Sequence, residues 1–130
     1  RRFGRVVNIT SRSVKSPLPH LGLSNGARAG LTGFVAGLAR QVAKHNVAIN
    51  NLLPGPFATD RQVTGMRKLA EKAGQDYEGF AKTRMAEVPA GRFGTPDEFG
   101  RACAFLCSAD AGFIIGQNLL IDGGAVNVTL

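Results

Sequence analysis

The sequence predicts an α/β fold in which three parallel strands are covered by helices and belong to a larger doubly wound sheet. Three short apolar runs alternate with two helical stretches, in the order strand, helix, strand, helix, strand. Such an alternation is typical of parallel strands joined by right-handed crossovers. A three-stranded sheet leaves an edge with unpaired backbone groups and apolar surface, so we expect the domain to extend beyond these strands.

The first strand and the helix after it account for the first third of the chain. Residues 5–9 are a β-branched run typical of a buried parallel strand, and residues 10–19 are polar with two prolines, which predicts a loop. From about residue 21 to residue 44, apolar side chains recur every three or four positions, which predicts a helix. A second strip of small residues predicts that another helix, in this chain or in another subunit, approaches closely; the strip is Ala29, Gly30, Gly33, Ala36 and Gly37.

The rest of the chain supplies two more strands and further helix. Residues 47–53 form an apolar run that a Pro-Gly-Pro sequence at 54–56 ends. Residues 59–84 are charged and poorly periodic, so we predict a mobile helical segment over a site rather than a core element. Thr95 precedes a proline and two acidic residues, which together predict the start of a helix. Residues 118–122 are predicted to be the third strand.

Composition indicates a globular protein and argues against several classes of function. Apolar residues make up 44% of the chain, but no run reaches the roughly 18–20 residues that a membrane span requires. The first residues lack the apolar stretch of a signal peptide, so we expect a cytoplasmic protein. The formal charge is +7, yet the 16 basic residues are scattered and aromatic residues are not interleaved with them as stacking platforms would require, which argues against nucleic-acid binding. Cys103 and Cys107 are expected to be buried thiols rather than a disulfide or a metal site.

Five stretches of the sequence resemble the short-chain dehydrogenase/reductase family, and they follow one another in that family's order. They are residues 4–11, 29–34 with 38–39, 47–59, 89–98 and 115–124. The pattern is closest to that of 3-oxoacyl-carrier-protein reductases. The resemblance implies the C-terminal part of a Rossmann-like doubly wound sheet. It also implies that an N-terminal dinucleotide-binding half with a glycine-rich turn is missing here. We therefore expect this chain by itself to bind NAD or NADP poorly.

The resemblance also implies a set of catalytic residues. In the family a serine orients the substrate carbonyl, a tyrosine transfers the proton, and a lysine one helical turn later binds ribose and lowers the pKa of the tyrosine. Ser11 matches the serine, while Ser24 and Arg28 occupy the tyrosine and lysine positions. An aliphatic hydroxyl is a far weaker acid than a phenol, and an arginine does not give up its proton. The family's proton relay is therefore altered in this chain.

His20 is the candidate for supplying the proton instead. It lies four residues before Ser24, at the predicted start of the same helix. A histidine changes its charge between pH 5 and 8, which suits a general acid. We predict that His20 protonates the product oxygen through Ser24 or through a water molecule. The alternative is a solvated histidine in a loop.

A second set of residues is implied to bind the cofactor. Pro54, Gly55, Phe57 and Thr59 match the loop that meets the nicotinamide carboxamide of NAD or NADP in the family. A backbone contact at Phe57 and the hydroxyl of Thr59 are the contacts that the resemblance implies, and Arg28 would bind the ribose hydroxyls. The alternative is an ordinary turn at the end of a strand. No metal site is predicted.

Taken with the resemblance, these residues predict an oxidoreductase that moves a hydride between NAD(P) and a small carbonyl or alcohol substrate, in a homo-oligomer. One alternative is a catalytically impaired pseudoenzyme or binding module that retains the fold, which Ser24 and Arg28 favour. Another is an independent three-stranded domain that serves association.

Overall fold

The computed structural model describes residues 1–129 and contains one parallel sheet. Its strands are β1 (Gly4–Ile9), β2 (Val47–Pro54) and β3 (Asn118–Ile121), in the spatial order β1-β2-β3. The predicted three-stranded parallel sheet is thereby confirmed. Because β2 lies in the centre, it is buried along nearly its whole length, whereas β1 and β3 are edge strands in this chain.

Helices cover both faces of the sheet, as a doubly wound fold requires. They are α1 (Gly22–Val42), α2 (Asp60–Lys72), α3 (Tyr77–Ala86) and α4 (Pro96–Cys107). Ile49 of β2 packs with Val35 and Ala39 of α1, whereas Leu52 of the same strand packs with Leu106 of α4. Residues three apart on a strand point to opposite faces, so α1 and α4 lie on opposite sides of the sheet.

Asparagine side chains tie the three strands together inside the sheet. Asn8, Asn51 and Asn118 lie opposite one another in register. Asn8 Nδ2 donates to Asn51 Oδ1 at 3.1 Å, and Asn51 Nδ2 donates to Asn118 Oδ1 at 2.7 Å. Buried amides without partners are costly, so this ladder favours the observed register over a shifted one.

The segment between β2 and α4 forms two helices that contact each other and bury three side chains. Met66 and Ala70 of α2 and Ala81 of α3 are buried, and the chain turns between the helices at Gly74, whose φ is 64°. The predicted helical character is confirmed, but the segment contributes buried side chains that we did not expect. Two of these three residues are alanines, which give little apolar periodicity.

Only part of the apolar pattern of α1 faces the sheet. Val35 and Ala39 are buried, whereas Leu23 is 94% exposed and Phe34 is 66% exposed. A methyl group built at Gly30 or at other glycines of the small-residue strip meets no heavy atom within 4 Å. Within residues 1–129, this face of α1 is therefore open to a partner.

The two thiols differ in exposure. Cys103 is half-buried, but Cys107 is exposed, so the prediction of two buried thiols is wrong for Cys107. Leu106 points into the core at the last turn of α4, and each helical residue is rotated by about 100° from the one before it, which turns Cys107 outward. Burial raises the pKa of the Cys103 thiol, and the neighbouring Cys107 adds to the rise. No helix within residues 1–129 is long and apolar enough to cross a lipid bilayer.

Candidate functional site

The predicted site residues lie where β1 and β2 end. β1 is followed directly by Thr10 and Ser11, and β2 is followed by the loop of residues 55–59. In α/β sheets, ligands bind at the carboxyl ends of the parallel strands. These two strands are parallel neighbours in the sheet, so the segments that carry Ser11 and the predicted cofactor residues leave the sheet at the same edge.

Ser11 is held in a defined geometry by the turn that follows it. Its backbone is extended, and its Oγ accepts a hydrogen bond from the Ser13 backbone N–H at 3.1 Å. That contact caps a short 3-10 turn over Arg12–Val14. A hydroxyl has one proton and two lone pairs, so the Ser11 O–H can still donate to a ligand.

Ser24 and Arg28 form a pair that reaches the end of β1. Arg28 Nε donates to Ser24 Oγ at 3.1 Å, and Arg28 Nη1 donates to the Thr10 carbonyl at 2.6 Å and more weakly to the Ile9 carbonyl at 3.4 Å. Both side chains are half-buried. The guanidinium therefore joins α1 to the residue directly before Ser11 and holds Ser24 at the same end of the sheet.

His20 stands apart from this pair. α1 begins at Gly22, so His20 lies in the preceding turn, where it is exposed. Its ring makes no hydrogen bond to any residue between 1 and 129. The structure therefore leaves its proposed role as a prediction.

Three buried polar atoms, two of them on residues near Ser11 in the sequence, have no partner in the described part of the chain. They are Thr10 Oγ1, Ser13 Oγ and Asn25 Oδ1. Thr10 is 3% exposed and Ser13 is 2% exposed, so neither hydroxyl is freely hydrated. Thr10 and Ser13 were not predicted as site residues, although with Ser11 they place three hydroxyl side chains within four positions. They give the end of β1 unused hydrogen-bonding capacity.

Gly55 is required by close packing against the end of β3. A Cβ at Gly55 would lie 2.3 Å from the Cβ of Asp122 and 2.6 Å from its Cα. The Gly55 N–H donates to the Ile121 carbonyl at 2.8 Å. Gly55 therefore positions the loop rather than offering a side chain, and Asp122 is a supporting residue that the sequence did not indicate.

Phe57 anchors the same loop to the segment before α4. It pairs with Gly94 in a parallel bridge, in which Ala58 N donates to the Gly94 carbonyl at 2.8 Å. A Cβ at Gly94 would lie 2.5 Å from the Phe57 ring, so only glycine fits there. The Phe57 ring also packs edge-to-face on Phe99 of α4, with ring centres 5.3 Å apart. Gly94 and Phe99 complete the loop's support.

Three cavities flank this loop, and two of them bear on the predicted site. One of about 240 Å³ is lined by three of the predicted cofactor residues, Pro54, Phe57 and Thr59, together with Ile9, Pro96 and Phe99. A larger one of about 390 Å³ reaches from Arg12 and Pro56 to α2 and α3. Within residues 1–129, no three His, Cys, Asp or Glu side chains are grouped so as to hold a metal ion.

Comparison with known proteins agrees with this architecture. The family model described as enoyl-(acyl carrier protein) reductase matches residues 1–126. A 3-oxoacyl-(acyl-carrier-protein) reductase FabG from Vibrio cholerae is 37% identical over 95% of this chain and 46% of its own length. An acetoacetyl-CoA reductase from Shinella zoogloeoides is 34% identical over 95% of this chain and 47% of its own length. The chain thus spans about half the length of the curated relatives that it matches.

A solved structure shows that the likeness extends to the arrangement of the elements. The crystal structure of YwfH, an NADPH-dependent reductase involved in bacilysin biosynthesis, superposes with a TM-score of 0.89 at 29% identity. The match covers 98% of this chain and 48% of YwfH. Sequence and structure together show that the chain belongs to the short-chain dehydrogenase/reductase family and resembles the FabG-type reductases.

Proposed function

We propose that the full-length protein is an NAD(P)-dependent oxidoreductase. It transfers a hydride from the reduced cofactor to a small carbonyl substrate, or from an alcohol to the oxidised cofactor. The observation that carries the proposal is the Arg28 guanidinium, which joins Ser24 to the Thr10 carbonyl beside Ser11. Relatives named as 3-oxoacyl, acetoacetyl-CoA and NADPH-dependent reductases support the reaction class.

The chain works in this proposal as the C-terminal portion of a Rossmann-type domain, whose other half supplies the glycine-rich turn for the dinucleotide. Support comes from the relatives, which are about twice as long, and from β1. Val6 and Ile9 of this edge strand are 44% and 48% exposed. Apolar side chains on an unpaired strand favour coverage by further structure.

The residues around the smaller cavity fit a nicotinamide ring. Apolar walls at Pro54, Phe57 and Ile9 suit the faces of a flat ring. The Thr59 hydroxyl accepts from the Gln62 N–H at 3.3 Å, which leaves its own proton for a carboxamide oxygen. Arg28 Nη2 has no partner between residues 1 and 129 and can donate to ribose hydroxyls. When bound, the reduced cofactor supplies the hydride.

Ser11 and Ser24 stabilise the oxygen on which negative charge develops. Each hydroxyl already accepts a hydrogen bond, Ser11 from the Ser13 N–H and Ser24 from Arg28, so each is left to donate. A donor that is itself bonded to a cation is strengthened, and preorganised donors at a developing oxyanion lower the barrier to reaction. Arg28 therefore acts on the substrate oxygen through Ser24.

The proton that completes the alcohol comes from outside the Ser24–Arg28 pair. Reduction of the carbonyl to the alcohol consumes one hydride and one proton. Neither an aliphatic hydroxyl nor a guanidinium is a competent net proton donor at neutral pH. His20, in the turn before α1, is the side chain that we assign to this step, through Ser24 or a water molecule. The step then depends on the imidazolium form of His20.

Oxidation of NADPH and NADH by the full-length protein over a ketone panel tests the proposal. We expect turnover, with a strong loss in Ser24→Ala and in Arg28→Leu but not in Lys68→Leu, which removes an exposed charge on α2. Cofactor binding by calorimetry without turnover of any ketone would instead indicate a binding protein. Failure to bind either cofactor would reject the proposal.

A further inference from the structure

The cavity of about 390 Å³ is lined by both apolar and polar side chains and carries an unbalanced positive charge. Its apolar wall comes from α2 and α3 and from the loop after β2, with Met66, Leu69 and Phe80 among its residues. Its charged lining residues are Arg12, Arg84 and Glu87. A site of this kind favours a ligand that carries both an apolar group and an anionic group.

Arg12 is the source of the unbalanced charge. Arg84 Nη1 donates to both carboxylate oxygens of Glu87, at 3.1 and 3.2 Å, so these two charges neutralise each other. Within residues 1–129, Arg12 has no carboxylate within ion-pair distance and no hydrogen-bond acceptor for its guanidinium. It is nevertheless half-buried, so it is partly withdrawn from water without a protein partner.

The backbone holds Arg12 at a set position relative to Ser11. The two residues are adjacent in one 3-10 turn, which Ser11 caps and in which the Arg12 carbonyl accepts from the Lys15 N–H at 3.0 Å. Ser13, 2% exposed, anchors the turn in the protein. Arg12 lines the cavity whereas Ser11 does not, and the two residues are consecutive in the chain, so the cavity lies one residue away from the hydroxyl that we assign to the substrate oxygen.

We infer that Arg12 selects substrates in which a carboxylate accompanies the carbonyl, an inference that rests on the proposed reductase function. The carboxylate pairs with the Arg12 guanidinium, whose fork of N–H donors matches two carboxylate oxygens. The carbonyl meets Ser11, and the apolar part of the substrate lies against Met66, Leu69 and Phe80. The substrate class is an oxo acid with an apolar substituent.

Matched pairs of acid and ester test this assignment in the full-length protein. Benzoylformate and levulinate are each compared with their methyl esters, which keep the ketone and remove the charge. In Arg12→Leu we expect KM for the acids to rise at least about tenfold, with kcat changed far less and the ester KM unchanged. Arg12→Lys should keep part of the preference for acids over their methyl esters. Arg61→Leu, an exposed arginine on α2 outside the cavity lining, leaves it intact.

Calorimetry measures the preference for a carboxylate without requiring turnover, so it can test the role of Arg12 even if the protein reduces no ketone. Mandelate and methyl mandelate are titrated into wild type and Arg12→Leu with the oxidised cofactor present. Tighter binding of mandelate that disappears in Arg12→Leu supports the assignment even if no ketone is reduced. Equal binding of acid and ester by the wild type overturns it. A higher cofactor KM in Arg12→Leu with an unchanged acid preference also overturns it, because Arg12 would then serve a cofactor phosphate.

Discussion

Arg28 donates a hydrogen bond from Nε to the hydroxyl oxygen of Ser24, which lies one helical turn before it, at 3.1 Å. The same guanidinium donates to the Thr10 carbonyl at 2.6 Å, so it is anchored at the end of β1. The Ser24 hydroxyl oxygen therefore accepts a hydrogen bond from the anchored Arg28 guanidinium, and its own O–H remains free to donate to another group. The two residues form one unit, and their substitutions should not act independently.

Ser24→Ala is expected to lower kcat about 10- to 100-fold with little change in cofactor KM, because it removes one donor to the developing oxyanion. Arg28→Leu should lower kcat similarly and also raise cofactor KM, because the ribose contact is lost. Steady-state kinetics of the single and double variants give the coupling between the residues.

For residues in one network, the double variant should lose much less than the product of the two single losses. Arg28→Lys, which keeps a cation, should retain more activity than Arg28→Leu. Strictly multiplicative losses would show that Arg28 does not act through Ser24.

His20→Ala is expected to change the pH dependence of ketone reduction. If a protonated imidazole donates the proton, the activity of the wild type falls at alkaline pH, since the donor is then lost. That alkaline loss should disappear in His20→Ala, with lower activity at the acidic end. The measurement is kcat/KM against pH, with His45→Ala as the control because His45 lies at the other end of α1. Superimposable profiles for wild type and His20→Ala would remove His20 from the mechanism.

Glu98 should contribute to stability in a pH-dependent way. The Arg92 guanidinium donates to its carboxylate, and with the Thr95 backbone N–H it lowers the pKa of Glu98 from 4.5 to about 2. A carboxyl whose folded-state pKa is depressed stabilises the protein above its unfolded pKa, and that contribution is lost as pH falls from about 4.5 to about 2. The Tm of Glu98→Gln should therefore be lower than that of the wild type at pH 7. The difference in Tm should shrink as the pH is lowered.

Glu71→Gln is the matched control for this effect. Glu71 is an exposed carboxylate on α2 whose side chain makes no hydrogen bond to residues 1–129. Its difference in Tm from wild type should stay small and vary little over the same pH range. Since Arg92 and Glu98 are both exposed, added salt should also narrow the Glu98→Gln gap. A gap that is constant from pH 7 to acid would contradict the assigned pKa.

Gly55→Ala and Gly94→Ala are expected to destabilise the fold by about 1–3 kcal/mol each, because the added methyl overlaps Asp122 in one case and the Phe57 ring in the other. Both should also raise cofactor KM, since they displace the loop. Urea denaturation measures the stability change. Gly65→Ala on α2, where a methyl meets no heavy atom within 4 Å, should instead stabilise by about 0.5–1 kcal/mol.

The small-residue face of α1 is expected to form a subunit contact in the proposed homo-oligomer. Gly33→Gln places a bulky polar side chain on this face, where the chain itself has no atom within 4 Å. It should weaken association without unfolding the subunit, as measured by sedimentation velocity and circular dichroism. Gly65→Gln controls for the loss of a helical glycine. An unchanged oligomer in Gly33→Gln would place the interface elsewhere.

The strands, α1 and α4 could be read from the sequence because each depends on local chemistry. Apolar runs mark the strands, a repeat of three or four residues marks α1, and Thr95 with Glu98 forms the capping box that begins α4. The spacing of Ser11, Ser24 and Arg28 matches that of the family, and this resemblance implied a common site. Local signals of this kind are carried by neighbouring residues, so they survive without knowledge of the fold.

Contacts between distant parts of the chain were decided by the tertiary structure alone. The bond from Arg28 to the Thr10 carbonyl, the bridge from Phe57 to Gly94 and the meeting of Gly55 with Asp122 each join residues that no periodicity relates. The charge balance of the larger cavity depends in the same way on how α2 and α3 pack beside the turn after β1. Sequence patterns encode which face of an element is apolar, whereas the identity of the partner on that face follows only from packing the elements together.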